Sequence, residues 1–228
     1  MRLVIVGPGR MGHAVAAAAA ERGHTVTSEI GPGGLTAASV RGAEVAVEFT
    51  TPGAAAGNLV TLARLGLPSV SGTTGWYERL AEVDAAFRQA SVGLLYAPNF
   101  SLGVQLLLRA AAELARLVAK RPEFDAWIVE THHRHKRDAP SGTARALQDA
   151  LRAVDATREY PVTSIRAGDV PGTHALWLDA SGESLALTHT ARDRSIFARG
   201  AVAAAEWLVA HPVAGARAFG DAVLGEGP

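Results

Sequence analysis

The chain has 228 residues, 48% of them hydrophobic, which suffices to bury a core in one or two domains and excludes a disordered or low-complexity protein. Lysine plus arginine equals aspartate plus glutamate at 22 each, so no overall field draws the chain to nucleic acid or to an anionic membrane, and any anion site must be local. The absence of cysteine excludes a disulfide framework, a thiol nucleophile and a cysteine-ligated metal, and suits a reducing cytoplasm.

At the N-terminus an apolar run, Leu3–Val6, meets Gly7 at once; it is too short for a signal-peptide core and reads as a strand. Through the first hundred residues short β-branched runs alternate with alanine-rich segments at helical spacing. The strands expected are Leu3–Val6, Thr25–Glu29, Val45–Thr50, Ser69–Ser71 and Val92–Tyr96. Helices Met11–Glu21, Gly53–Leu65 and Tyr77–Ala90 fit between them, with Gly23 closing the first and Pro52 opening the second. This rhythm predicts a doubly wound parallel sheet, Rossmann-like in kind. The charge-free stretch Val92–Leu108 holds Pro98, Asn99, Ser101 and Gln105, so it reads as strand, loop and helix start, not as a membrane span.

Beyond Pro98 the pattern becomes mixed α+β. A helix is expected over Leu102–Ala119, a strand over Ala126–Thr131, a helix over Thr143–Val154, and strands near Ser164–Arg166, Ala175–Asp179 and Leu185–Thr190. Two last helices, Phe197–Val209 and Val213–Val223, follow and are placed to cover the first sheet. The division expected is residues 1–98 plus 199–228 for a dinucleotide and 99–198 for substrate binding and oligomerisation.

Gly7-Pro8-Gly9-Arg10-Met11-Gly12 follows a strand and opens an alanine-rich helix. Glycines there allow a tight turn and close backbone approach, and the uncancelled amides of the helix start favour a pyrophosphate. Glu29, at the expected end of the second strand, suits ribose hydroxyls and favours NAD over NADP; Arg10 would suit a 2′-phosphate, so NADH and NADPH both stay open. Two more loops fall at strand ends, Gly72-Thr73-Thr74-Gly75 and Ala97-Pro98-Asn99-Phe100. Each is unremarkable alone, but both lie where open α/β sheets bind ligands.

The most specific segment runs from Glu130-Thr131-His132-His133-Arg134-His135-Lys136-Arg137 into Asp138-Ala139-Pro140-Ser141-Gly142-Thr143-Ala144. Six of its first eight residues can carry positive charge, and Asp138, Pro140 and Ser141 signal a helix start with amides at Gly142 and Thr143. The segment is an anion pocket by construction, suited to a dicarboxylate, with histidines that titrate near neutrality for proton transfer. No metal is expected: His132 and His133 are adjacent and should point to opposite faces of a strand, and no cysteine or tight acidic cluster completes a set. Nucleic acid is not expected either, for want of interleaved aromatics or net charge.

The string HHRHK followed by DAPSGTA resembles the signature of the dihydrodipicolinate reductases. The other motifs fall in that family's order: GRMG, E-F-T-x-P, GTTG, A-P-N-F-S-x-G-V, Arg166–His174, then Arg194, Phe197-Ala198 and Gly200-Ala201. The resemblance covers almost the whole chain, with a shorter glycine turn and a shortened Glu29–Ala43 stretch. It implies an oxidoreductase that reduces 4-hydroxy-tetrahydrodipicolinate with NADH or NADPH on the diaminopimelate route to lysine. It further implies a nucleotide on Gly7–Gly12, Glu29, Gly72–Thr74 and Ala97–Phe100, with its nicotinamide facing the second domain, and a hinge near Asn99–Ser101 and Arg194–Phe197. One substrate carboxylate would rest on Ser141, Gly142 and Thr143 with help from His133 and Lys136. His132 would donate the proton, with Lys136 as second donor and charge partner. By the same resemblance the protein is a homotetramer assembled through the second domain's sheet. A different Rossmann oxidoreductase, a nucleotide sensor and a zinc hydrolase are the rival readings; the first lacks any need for HHRHK joined to SGT.

Overall fold

In the computed structural model, which describes residues 1–225, the glycine-punctuated pattern of the first half becomes a six-stranded, all-parallel sheet. Its strands are β1 (Arg2–Val6), β2 (Thr25–Ile30), β3 (Val45–Glu48), β4 (Ser69–Ser71), β5 (Gly93–Tyr96) and β10 (Gly215–Ala218), in the order β10-β5-β4-β3-β1-β2. β1, β3, β4 and β5 are buried along nearly their whole length, as strands covered by helices on both faces must be. The chain leaves β1 for β2 on one side and returns to β3 on the other, so the strand order reverses between β1 and β3. A crevice opens at such a switch point, beyond the carboxyl ends of the strands.

Helices α1 (Arg10–Glu21) and α6 (Ser195–Ala210) cover one face of this sheet, and α2 (Pro52–Arg64) and α3 (Leu80–Gln89) the other. The alanines of α1 and α6, among them Ala18, Ala19, Ala201 and Ala205, pack on Leu3, Ile5, Val47 and Val70; small side chains let helix and sheet approach closely. The helix expected over Tyr77–Ala90 begins instead with a tight 3-10 turn at Tyr77–Arg79.

The helix expected over Val213–Val223 is corrected: Gly215–Ala218 forms β10, parallel to β5, and only Phe219–Leu224 is helical (α7). Gly-Ala-Arg-Ala carries no strand preference of its own. Pairing with the open edge of β5, together with the Ala216 amide donating to Asp84 Oδ1 at 2.6 Å, decides its conformation.

Contacts divide the chain into two compact units, Met1–Ser101 with the chain from Ser195 onward, and Leu102–Arg194. The second unit is a four-stranded mixed sheet, β7-β6-β8-β9, built from β6 (Asp125–His132), β7 (Val162–Arg166), β8 (Gly172–Ala180) and β9 (Glu183–Ala191). β6 and β7 are parallel, joined through α5 (Gly142–Arg152), whereas β8 and β9 are antiparallel to their neighbours. α4 (Leu102–Val118) and α5 cover one face, where Leu107, Ile128, Leu147, Tyr160 and Leu176 form the core. Period-two alternation in β6 sends Ala126, Ile128, Glu130 and His132 to that buried side. A carboxylate and an imidazole thus enter a core on the same strand, two residues apart.

Candidate active site

In the first unit the turn after β1 is fixed by sterics. Gly7 has φ +99°, and a Cβ on it would lie 2.1 Å from the Phe49 carbonyl oxygen, so only glycine fits. The turn delivers Gly9 as the N-cap of α1, with no side chain capping the first-turn amides and open space where a Cβ on Gly9 would lie. Two cavities meet there. One, of about 340 Å³, is lined by Gly9, Arg10, Met11, Phe49, Thr50, Pro52, Gly72, Thr73 and Thr74. The other, of about 920 Å³, runs from Gly7, Pro8 and Gly9 along Ile30–Gly33 to Asn58 and Thr61. Both share Gly9, Phe49 and Thr50. A dinucleotide fits this arrangement, one nucleoside on each side of a diphosphate held at an uncapped helix start.

The Gly72–Gly75 loop is held from below: the Trp76 indole donates to the Thr73 carbonyl at 2.8 Å, and the Phe49 ring occupies the place a Cβ on Gly72 would need. Glu29 lies 3.6 Å from His13 on α1, while the wall of the larger cavity is formed by the next residues, Ile30–Gly33. Ala97 and Phe100 are buried in the core, the Phe100 ring 4.9 Å from that of Phe219. Asn99 Oδ1 accepts from the Ser101 amide. Neither cavity is lined by Ala97–Phe100.

In the second unit the histidine segment is organised by a residue the sequence reading used only as a strand end. Glu130 is fully buried, and hydrogen-bond donors converge on both of its carboxylate oxygens. His132 Nδ1 donates to Oε2, the Ser141 amide to Oε1 at 3.2 Å, and Arg166 Nη1 and Nη2 to the two oxygens at 3.0 and 2.6 Å. Burial opposes the charge on Glu130, but hydrogen bonds from Arg166, Ser164 and His132 overcome it and hold its pKa down at about 2. An ionised Glu130 fixes the proton on His132 Nδ1 and leaves Nε2 to exchange protons. Nε2 faces Gly172, where a Cβ would stand 2.9 Å away. Burial lowers the His132 pKa; Glu130 works against that, and Lys136 and Arg166 add to it.

His174 packs edge-on to His132, with centroids 5.1 Å apart, and its Nε2 lies 3.0 Å from Ser141 Oγ. Its pKa is pushed down to about 4, mainly by burial and then by His132. Ser141 caps α5 through Oγ and the Ala144 amide at 3.2 Å and is itself buried, so its hydroxyl is used within the protein, while Gly142 has open space beside it. Lys136 Nζ donates to Asp138 at 2.8 Å, and His133 Nε2 lies 3.4 Å from Arg194 Nη2.

Glu130, His132 and His174 place one ligand atom each within 4.8 Å of one another, a grouping not anticipated from the adjacent pair His132 and His133. The carboxylate is already neutralised by Arg166, and a cation there would displace the guanidinium or sit beside it. Proton positioning is the chemistry this set is built for. Glu130 could have been found from the sequence, two residues before His132 on a strand of period two. Arg166 and His174 stand at the two ends of a motif that the resemblance picks out, but nothing in their spacing assigns them to Glu130 and His132, because they arrive from β7 and β8.

A parallel sheet with a glycine turn at its switch point, joined in one chain to a unit carrying a carboxylate-oriented histidine, is the architecture of a nicotinamide-dependent oxidoreductase. Residues 1–100 match the family described as dihydrodipicolinate reductase, N-terminus, and residues 103–220 match dihydrodipicolinate reductase, C-terminus. The chain belongs to the dihydrodipicolinate reductase family. A relative from Natronomonas pharaonis, named 4-hydroxy-tetrahydrodipicolinate reductase, is 39% identical over 91% of this chain and 94% of its own. One of the same name from Xanthomonas euvesicatoria pv. vesicatoria is 43% identical over 79% of this chain and 73% of its own. The fold also matches a dipicolinate-bound dihydrodipicolinate reductase from Paenisporosarcina sp. TG-14, with a TM-score of 0.82, 20% identity and coverage of 96% and 97% of the two chains. The family's enzyme acts in diaminopimelate and lysine biosynthesis with NAD(P)H, which its N-terminal domain binds.

Proposed function

We propose that His132 is the proton donor in the reduction of 4-hydroxy-tetrahydrodipicolinate by this chain, and that Glu130 makes it one. The observation that carries this is the buried Glu130 carboxylate, which holds His132 by Nδ1 and the first residue before α5 by its amide. One group thus fixes both the acid and the helix start where an anion is favoured. Reduced nicotinamide, when bound, supplies the hydride. The amides of Gly142 and Thr143 receive a substrate carboxylate at the start of α5, and His133 and Lys136 add positive charge beside it. Lys136 exchanges its Asp138 partner for the substrate, and serves as second donor. Arg166 keeps Glu130 ionised, so the imidazole stays in one tautomer while its Nε2 gives up the proton.

In the first unit the uncapped amides of Gly9, Arg10 and Met11 hold the diphosphate, with Gly7, Pro8 and Gly12 shaping the turn. Gly72, Thr73 and Thr74 border the nicotinamide end. Glu29, with its part-exposed carboxylate 3.6 Å from His13, meets ribose hydroxyls in this reading, and Ala97–Phe100 act through backbone placement, since Phe100 and Ala97 have their side chains in the core.

The second unit's outer sheet face supports assembly of like chains. Trp127 and Trp177 stack there with ring centroids 6.0 Å apart and planes 6° from parallel, flanked by Val129 and the exposed Ile165. A half-exposed aromatic patch on a flat sheet favours a self-complementary partner, and the homotetramer is assembled through it. No helix among the described residues is long and apolar enough to cross a membrane, and the cysteine-free composition agrees with a cytoplasmic enzyme.

The test is loss of NADH or NADPH absorbance on adding freshly generated substrate. Turnover that follows both reactants supports the reading; nucleotide binding without turnover overturns it in favour of a sensor.

A further inference from the structure

The first unit buries a carboxylate of its own, beneath the glycine turn's cavity. Glu48 ends β3 and is fully buried. Ser71 Oγ donates to its Oε2 at 2.6 Å; its Oε1 accepts from Thr73 Oγ1 at 2.9 Å, from the Thr50 amide at 3.0 Å, and from the Thr50 hydroxyl. Every partner is neutral, and Glu48 forms no ion pair among the described residues. Thr50 and Thr73, which hold it, are themselves wall residues of the 340 Å³ cavity. The carboxylate therefore stands one side-chain layer beneath that cavity, at the carboxyl end of a central strand.

Isolated buried charge is costly, and hydroxyl dipoles only partly replace water around it. Scaffolding alone would not need it: an asparagine, glutamine or threonine could tie Thr50, Ser71 and Thr73 together with no charge to bury. Every partner donates to the carboxyl group, and the Thr73 and Thr50 hydroxyl oxygens themselves accept from the Thr50 amide and Asn58, an arrangement that suits an ionised carboxylate, and that charge is the informative feature. Hydride transfer carries two electrons and a hydrogen nucleus from the dihydropyridine ring to a substrate carbon, and leaves the ring a pyridinium cation. The cofactor thus gains one positive charge in the step.

We propose that Glu48 is a positioning residue that presents a fixed negative charge through Thr50 and Thr73 to the nicotinamide end of the pocket, favouring the oxidised cofactor and the transition state leading to it. The proposal rests on the reading of this cavity as the nicotinamide site. A preorganised charge aimed at developing charge is the usual source of such stabilisation. At an effective dielectric near 20, a unit charge one layer away changes the balance between cation and neutral ring on the order of tenfold.

The test compares dissociation constants of NAD+ and NADH, by fluorescence and calorimetry, for the unaltered full chain, Glu48→Gln and Glu48→Asp. Glu48→Gln should raise the ratio Kd(NAD+)/Kd(NADH) on the order of tenfold. Glu48→Asp, which keeps the charge, should keep the ratio close to its original value even if both affinities weaken. A second neutral substitution, Glu48→Met, carries the comparison should the glutamine variant fail to fold. Equal weakening of both nucleotides, or an unchanged ratio, would mean that Glu48 only braces the loops, and the proposal falls. If the unaltered chain binds neither nucleotide, the assignment of the cavity fails instead.

Discussion

Among the described residues each unit buries one glutamate at or near the carboxyl end of a central strand, and the two are treated oppositely. Glu48 is surrounded by hydroxyls and an amide, with no cation among its partners. Glu130 is clamped by Arg166 and by His132, and the Ser141 amide also donates to it. The surroundings decide what the charge does. A carboxylate matched to a guanidinium has its charge cancelled locally and serves to orient its neighbour, whereas one held by neutral dipoles keeps a field that reaches past its own shell. The first unit accordingly surrounds its glutamate with hydroxyls and an amide, and the second with charged side chains.

That contrast breaks most sharply on His132, the proposed proton donor. His132→Ala should lower kcat by about 10²–10⁴, the scale of a positioned acid, and Lys136→Ala should do likewise. Steady-state rates measure this, and a fluorescence titration should show NADH affinity unchanged in both variants. A parallel loss of NADH affinity would show that the halves do not divide the work.

The pH dependence of stability comes next in size. His174 has its folded pKa lowered from 6.5 to about 4, so as pH falls the unfolded chain takes up the proton first. Its contribution is complete above pH 6.5 and is lost as pH falls towards 4, by about 3 kcal/mol at most. Glu130, lowered from 4.5 to about 2, adds a loss between those values. Thermal melts across pH 7 to 4 should show the fall, and His174→Gln should flatten it; an unflattened curve assigns the acid sensitivity elsewhere.

The smallest effect sharpens the comparison best. Glu130→Gln should reduce kcat about 10–100-fold, as loss of an orienting partner does. It removes the negative neighbour that supports the His132 imidazolium, so the His132 pKa falls further. The basic limb of the kcat/KM profile, where the acid form is lost, should then move to lower pH. The NAD+ to NADH binding ratio should stay put. Glu48→Gln should do the reverse, moving the ratio and leaving the limb.

Much of this was legible in the residues. The parallel sheet followed from short buried runs between amphipathic helices, and the five strands read in the first hundred residues lie within two residues of their observed ends. The Val213–Val223 segment was misread because Gly215–Ala218 has no strand character until β5 offers an edge. Within the site, His132, Ser141 and Gly142 could be found because strand, turn and helix start are contiguous in sequence. Arg166 and His174 lay in a motif of the resemblance, but their place beside Glu130 and His132 could not be read, because strand pairing alone brings β7 and β8 beside β6.

The sequence by itself therefore determined which chemical groups this protein has and which strand or helix end presents each, since period, glycine turns and capping residues are local properties. Only the tertiary structure decided which charges face one another. Burial and pairing across strands distant in sequence set Glu130 against Arg166 and left Glu48 among hydroxyls, and the effect of a charge in a low-dielectric interior depends on its neighbours in space.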